Sequence, residues 1–333
     1  QRSTMRELRY EISPGVCLGH RLIPICACGC YVPAGRYPLP SSALMSIIPA
    51  RVAGVERVAA ASPASRASHG IHPAVLVAMD IAGADEVYCM GGAQAIGAFT
   101  YGTESVAPVD IVAGPGNRYV TEAKRQVSGT VGIDMLAGPS EVVIIADESA
   151  DPAWIASDAI SNCEHDTNSW AILLLTSEKL AELAASHIDA KLEALETANV
   201  AGEAWRNNGR ILTVDSPDEA AAICNDIAPE HVQVMTRDSA GVASMLRNFG
   251  SLFIGPYAPV PFGDYVSGPN HILPTGRGAR FSNGVNVGAF IKISTYQEIT
   301  RDGGSYLSPR CAYLAGMEGL HAHRRSAEIR GEG

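Results

Sequence analysis

Apolar and polar positions along this chain switch repeatedly between two periods. In the first half, short strand-like runs (GCYVPAG, ERVAAAS, DEVYCMG, VDIVAGPG) are separated by longer runs with helical spacing (SSALMSIIPARVAG, HPAVLVAMDIAG, AQAIGAFTYG, NRYVTEAKRQV), and the series ends on the strand EVVIIAD. A second series opens near Asp151: DPAWIASDAISNCEH as helix, WAILLLT as strand, SEKLAELAASHIDAKLEAL as helix, then GRILTV, PDEAAAICNDI, EHVQVMT and SLFIG. Strands that alternate with helices predict parallel sheets covered on both faces. The pattern therefore predicts an α/β fold of two Rossmann-like domains, over residues 1–139 and 140–276, after a short polar start. Residues 276–298 are rich in Gly, Asn and Arg, and the helix-like CAYLAGMEGLHAHRRSAEIR closes the chain, so 277–333 is read as a connecting segment and a C-terminal helical arm.

Composition narrows the function. A length of 333 residues is ample for two hydrophobic cores, and 47% hydrophobic with 18% charged residues is ordinary for a globular protein. A net charge of −10 opposes binding to a polyanion, so nucleic acid is not an expected partner. No run approaches the roughly 18 apolar residues of a membrane span, and the expectation is a soluble protein. Eight cysteines without a secretory pattern suit reduced thiols in a cytoplasm. Cys26, Cys28 and Cys30 alternate in a strand-like run, where core packing is favoured over metal binding because Cys-x-x-Cys spacing is absent.

Several short motifs carry chemistry. GPGN, residues 114–117, ends a strand and opens a helix, a turn that presents free N–H groups to an anion although the GxGxxG fingerprint is missing. GGAQAIG, with Gly91, Gly92 and Gln94, repeats that arrangement. NCEHD sets Asn162 and His165 three apart on a helix, spacing that suits a shared metal or an ordinary helix end. PEH places Glu230 beside His231, an acid–base pair only if the turn at Pro229 breaks strand alternation. GDY supplies Asp264, GPNH supplies His271, and the tail supplies Glu318, His321 and His323.

Taken together, VPAGRYPL, GGAQAIGAFTYGTESV, VDIVAGPGNRYVTEAKRQV, IDMLAGPSEVVIIAD, NCEHD, APEHVQV, GDYVSGPNHILPT and EGLHAH closely resemble the histidinol dehydrogenase family, in the family's order, from about Pro14 almost to the end. The resemblance implies two successive NAD-dependent oxidations, alcohol to aldehyde and aldehyde to carboxylate, by a homodimer with one zinc per site. It implies that Tyr31, Gln94 and Asn117 contact the cofactor and that residues 1–139 form the NAD-binding domain. It makes Glu230 and His231 the catalytic pair, and Ser140, His271 and Glu318 substrate contacts. It assigns the metal to Asn162, His165, Asp264 and His323, one ligand coming from the partner subunit.

Three departures matter. Asn162 stands where the family has Gln, shorter by roughly 1 Å where metal–ligand distances tolerate about ±0.2 Å; a helix shift, a bridging water, Asp166, or weakened metal binding would each answer the deficit. Pro269 replaces the Thr of the family's GTNH. Arg36, in VPAGRYPL, is similar to a paralogous branch that includes sulfopropanediol 3-dehydrogenase, and its guanidinium suits a sulfonate or carboxylate. The implied substrate is thus histidinol or the sulfonated diol 2,3-dihydroxypropane-1-sulfonate. Against the family the chain also starts later, without a segment that the resemblance implies helps form the dimer, as expected of a fragment, a natural truncation or a misassigned start alike. The remaining alternatives are a catalytically inactive family member and, from another class, a solute-binding protein.

Overall fold

A strand order in which the first strand sits centrally, with its successors added on either side, requires helices on both faces, and this chain adopts it twice. The computed structural model describes residues 1–34, 37–65 and 69–332, so Arg36 lies outside the described residues. It divides into two compact units, Gln1–Ile25 with Phe290–Gly333, and Cys26–Ala289.

In the first unit, β1 (Leu8–Ser13) and β2 (Val16–Pro24) form an antiparallel hairpin, turned at Gly15 with φ 74°, and β2 pairs along its length with β13 (Ile291–Ile299). The helices α11 (Arg301–Met317) and α12 (His321–Glu328) follow, broken at Gly319, whose φ is 74°. The sequence reading put the start of the chain in the first Rossmann-like domain and 277–333 in a connection and arm; strand pairing instead unites both ends in one sheet. The helical arm itself is present, beginning at Arg301.

The second unit holds two five-stranded parallel sheets. The first comprises β3 (Ala27–Tyr31), β4 (Arg57–Ser62), β5 (Glu86–Cys89), β6 (Ile111–Ala113) and β7 (Gly132–Ile133), in the order β5-β4-β3-β6-β7. Its helices are α1 (Pro40–Ala53), α2 (Pro73–Ala82), α3 (Gly92–Tyr101) and α4 (Arg118–Val127). Gly29 is needed on β3 because a Cβ there would lie 2.7 Å from the ring of Phe99, a fully buried residue of α3. Cys28 and Cys30 are buried on one face of β3 with sulfurs 3.6 Å apart, as core packing requires, whereas Cys26 precedes the strand and is exposed.

The second sheet comprises β8 (Glu141–Ala146), β9 (Trp170–Leu175), β10 (Arg210–Thr213), β11 (His231–Met235) and β12 (Ser251–Ile254), ordered β10-β9-β8-β11-β12. On one face α5 (Pro152–Cys163), α6 (Glu178–Ala194) and α7 (Ala198–Asn208) bury Ile144, Leu173, Ile155 and Ile188. On the other, α8 (Pro217–Ile227) and α9 (Ser239–Met245) cover Val143, Ile145, Val232 and Val234. A short helix, α10 (Val260–Tyr265), carries Asp264. β8 is buried along its whole length and reads after Glu141 as a run of Val and Ile, whereas β11 alternates Val232 and Val234 with His231, Gln233 and Met235.

One polar pair interrupts this core. Gln233 of β11 is fully buried and donates from Nε2 to Asp158 Oδ2 of α5 at 2.8 Å, while its Oε1 has no partner. Burial pushes the Asp158 carboxyl up to about 6, so the folded state holds its proton over a range where the unfolded chain has lost it. The contribution to stability is therefore complete at low pH and is lost as pH rises from about 4 to 6. Asp158→Asn should remove that decline and let its amide donate to Gln233 Oε1. We expect it to stabilise the protein at pH 7 by about 1–2 kcal/mol in denaturant titrations, with the gain vanishing near pH 4.

Candidate active site

The first sheet changes direction between β3 and β6, and at such a switch point the carboxyl ends of the strands leave a crevice for a ligand. Tyr31 ends β3, and GPGN follows β6. Gly114 has φ 115°, and a Cβ there would lie 2.0 Å from the Tyr31 carbonyl oxygen. Its N–H donates to Asp134 Oδ2 at 2.7 Å and its carbonyl accepts from Lys124 Nζ at 3.0 Å. Lys124 and Asp134 form a buried ion pair, so this turn is clamped from both sides by groups invisible in the motif. Asn117 caps α4, its Oδ1 accepting from the N–H groups of Tyr119 and Val120 at 3.0 and 3.2 Å. Tyr31 is 3% exposed, and its hydroxyl accepts from Gly92 N–H at the start of α3 at 3.2 Å. α3 itself has Gly91 at its N-cap and no side-chain cap, and Gln94 stands exposed in its first turn. Among the described residues, then, this helix start has one N–H taken by Tyr31 and no side-chain cap, an arrangement that suits the pyrophosphate of a dinucleotide.

At the switch point of the second sheet, between β8 and β11, the titratable residues gather at the amino ends of the strands. Glu230 precedes β11 and follows Ala228, whose φ of 53° sets the chain off the strand path. Alternation is broken there, and the Glu230 and His231 side chains share one buried space, Oε2 lying 3.5 Å from Nδ1. His231 Nδ1 is 3.0 Å from the carbonyl oxygen of Glu141. A carbonyl only accepts, so Nδ1 carries the hydrogen and Nε2 of the neutral ring presents its lone pair. Among the described residues Nε2 is buried without a partner, and burial holds the imidazole below its ordinary value, hence neutral near pH 7. Glu230 Oε2 accepts from Ser140 Oγ and from Glu141 N–H, each at 3.0 Å, and burial pushes the carboxyl up to about 8.

His165 and Asp264 lie within each other's field: burial lowers the imidazole and raises the carboxyl, while each charge favours the other's. His165 lies just past the end of α5, beyond Glu164 at the C-cap, rather than within the helix as its spacing suggested. His271 Nδ1 is 3.1 Å from the Asp264 carbonyl oxygen, and burial lowers its imidazole to about 4. Asn162 is 2% exposed with its amide engaged, Oδ1 accepting from Ser140 Oγ at 2.9 Å and Nδ2 donating to the Trp170 carbonyl at 2.9 Å. Asp166 caps its own turn by accepting from Asn168 N–H at 2.9 Å. Imidazole and carboxylate are both zinc donors, so His165 and Asp264 fit a metal; the Asn162 amide is committed to hydrogen bonds within the sheet. Among the described residues no three His, Cys, Asp or Glu side chains form a metal-holding group. Glu318 and His323 are exposed residues of the other compact unit, in the α11–α12 turn and in α12.

The residue that sequence reasoning passed over is Glu141. As the first position of a valine- and isoleucine-rich strand it carries no motif signal beyond its place after Ser140, yet it is 6% exposed and touches both members of the pair.

Comparison with known proteins accords with this arrangement. The family model described as histidinol dehydrogenase matches residues 1–331. Histidinol dehydrogenase homolog 1 of Mesorhizobium japonicum is 47% identical over 331 residues, which are 99% of this chain and 66% of that protein. Histidinol dehydrogenase of Ruegeria pomeroyi is 45% identical over 99% of this chain and 76% of its own length. The crystal structure of histidinol dehydrogenase from Elizabethkingia anophelis superposes with a TM-score of 0.94 at 36% identity, covering 99% of this chain and 76% of that one. A putative aldehyde dehydrogenase from Anabaena variabilis, 16% identical with a TM-score of 0.56, shares the fold alone. The chain spans about two thirds to three quarters of the length of these histidinol dehydrogenase relatives, and over that span it belongs to the histidinol dehydrogenase family.

Proposed function

We propose that this chain carries out the NAD-dependent oxidation of a small polar primary alcohol, L-histidinol, through the aldehyde to the carboxylate. The observation that carries the reading is the His231 imidazole, held as the Nδ1–H tautomer by a backbone carbonyl, with Glu230 Oε2 3.5 Å from Nδ1 and with an Nε2 that is buried and has no partner among the described residues. A neutral base in a water-poor space is suited to take the hydroxyl proton of an alcohol. Glu230, anchored by Ser140 and the Glu141 amide, is placed to take a proton from water adding to the aldehyde, and its raised value makes it a stronger base than a surface carboxylate once ionised. Ser140 and His271 would orient the substrate.

NAD, when bound at the α3 and GPGN turns, would supply the hydride acceptor for both oxidations. His165 and Asp264 would hold zinc, which when bound supplies Lewis-acid polarisation of a substrate oxygen. A homodimer, with Glu318 and His323 completing a site, and a cytoplasmic location extend the same reading. The sulfonated diol is the second substrate to offer, because Arg36 is the feature of the sequence that favours an anionic group.

Three outcomes are expected. Purified, zinc-loaded protein should form NADH from L-histidinol, and His231→Asn should lower kcat by about 10²–10⁴-fold. Wild-type turnover of 2,3-dihydroxypropane-1-sulfonate alone would reassign the substrate, and an undiminished rate in the His231 variant would remove it as the base. Gly114→Ala forces a Cβ against the Tyr31 carbonyl at a φ that alanine resists; the strain, about 1–3 kcal/mol, should weaken NAD binding about 10-fold or more in equilibrium titration, without loss of the second sheet's thermal transition.

A further inference from the structure

We propose that Glu141 is a positioning residue for the Glu230–His231 pair, its buried carboxylate fixing the two irregular segments that frame the pair. The inference rests on the reading of that pair as the catalytic centre. Glu141 meets its neighbours through four polar groups. Its N–H donates to Glu230 Oε2 at 3.0 Å, and its carbonyl accepts from His231 Nδ1 at 3.0 Å. Any residue on β8 would offer those backbone groups. The carboxylate is the specific part: Oε2 accepts from Glu230 N–H at 3.3 Å and Oε1 accepts from Gly276 N–H at 2.9 Å.

Both donors lie where the chain leaves regular structure. Glu230 sits between the left-handed Ala228 and the first residue of β11, and Gly276, with φ 59°, ends the loop that runs from His271. Their N–H groups have no place in a strand ladder; Glu230 is buried, where an unpaired N–H is costly, whereas Gly276 is exposed and its bond to Glu141 Oε1 ties the loop to β8. A carboxylate answers two donors at once, where an amide side chain answers one and turns its own NH₂ toward the other. Glu141 and Glu230 thus exchange bonds, the carboxyl of each accepting from the backbone N–H of the other. Burying an ionisable group is unfavourable unless it is fully bonded, and a strand otherwise built of Val and Ile gives no packing reason for one.

Glu141→Gln keeps the volume and removes one acceptor. With L-histidinol and NAD as substrates, we expect kcat to fall about 10–100-fold while both KM values stay within about 3-fold. Backbone amide exchange at Glu230 and Gly276 should speed up about 10-fold or more, with distant strands unchanged. Wild-type kcat together with unchanged exchange at those amides would overturn the proposal; so would a parallel rise of KM and a general loss of protection, which describe a fold defect. If the Gln variant does not fold, Glu141→Asp, which retains two acceptor oxygens on a shorter arm, is read by the same two measurements. Should the wild type oxidise no alcohol, the functional reading fails on its own, and the exchange measurement still decides whether Glu141 holds the two segments.

Discussion

Adjacency of the amino ends of β8 and β11 brings Glu141, Glu230 and His231 into one water-poor space, and most of what is distinctive in the second sheet follows from how that space is made tolerable. Burial raises the two carboxyls to about 7 and about 8 and depresses the imidazole. Three titratable groups are therefore all displaced toward their neutral forms, a pattern that clusters at functional sites because catalytic groups need values near the working pH. The groups are held by backbone amides and carbonyls, which cannot titrate away. That choice of partner keeps the geometry constant while protons move.

The topology explains why the residues collect at amino ends, although ligands of doubly wound sheets ordinarily lie outside the carboxyl ends. The two sheets are joined by residues 134–140 between β7 and β8. Seven residues span at most about 25 Å when fully extended. The chain leaves the carboxyl end of one sheet and enters the amino end of the next within that reach, so these two edges are the ones brought near each other. Thr121 Oγ1 donates to the Ala137 carbonyl at 2.6 Å, and Gly138 N–H donates to Thr275, tying the connection to both lobes. On the proposed function, the crevice of the first sheet would take the cofactor and the acid–base cluster of the second would face the same substrate, without either sheet departing from its regular form.

How much of this was legible depended on which physical signal each element carries. Buried parallel strands announce themselves as apolar runs, and β3, β4, β8 and β9 were read correctly for that reason, while β11 was read correctly despite His231 and Gln233. The hairpin β1–β2 and strand β13 were missed because each presents apolar residues to solvent, Leu8, Tyr10, Ile12 and Ile293 being exposed, which blurs the contrast that marks a strand. Helix α7 was missed because ANVAGEAWRNN mixes Gly and Asn, poor helix formers, with its apolar positions. PEH was readable as a pair only conditionally, since its sharing of a pocket required a left-handed residue at Ala228, a conformation that alanine does not advertise. Glu141 and the Lys124–Asp134 clamp left no motif at all, because their partners are backbone groups or residues on the next element, and such contacts exist only once the sheet order is set.

Asn162 shows the same limit from the other direction. Its shortened side chain pointed to a metal site compensated by a helix shift, a bridging water or Asp166, or to weakened metal binding, and the sequence showed no partner for its amide. In the fold it donates to the carbonyl of Trp170 at the start of β9 and accepts from Ser140 at the entrance to β8. The donor side of the amide is fixed by the carbonyl, which only accepts, and so its oxygen must face Ser140. Ser140 Oγ has a single hydrogen and two acceptors within reach, Asn162 Oδ1 at 2.9 Å and Glu230 Oε2 at 3.0 Å. One acceptor is served at a time. The residue that the family resemblance assigned to the metal is thereby joined through one hydroxyl to the carboxyl proposed to activate water, and its amide geometry is set by the Trp170 carbonyl and Ser140.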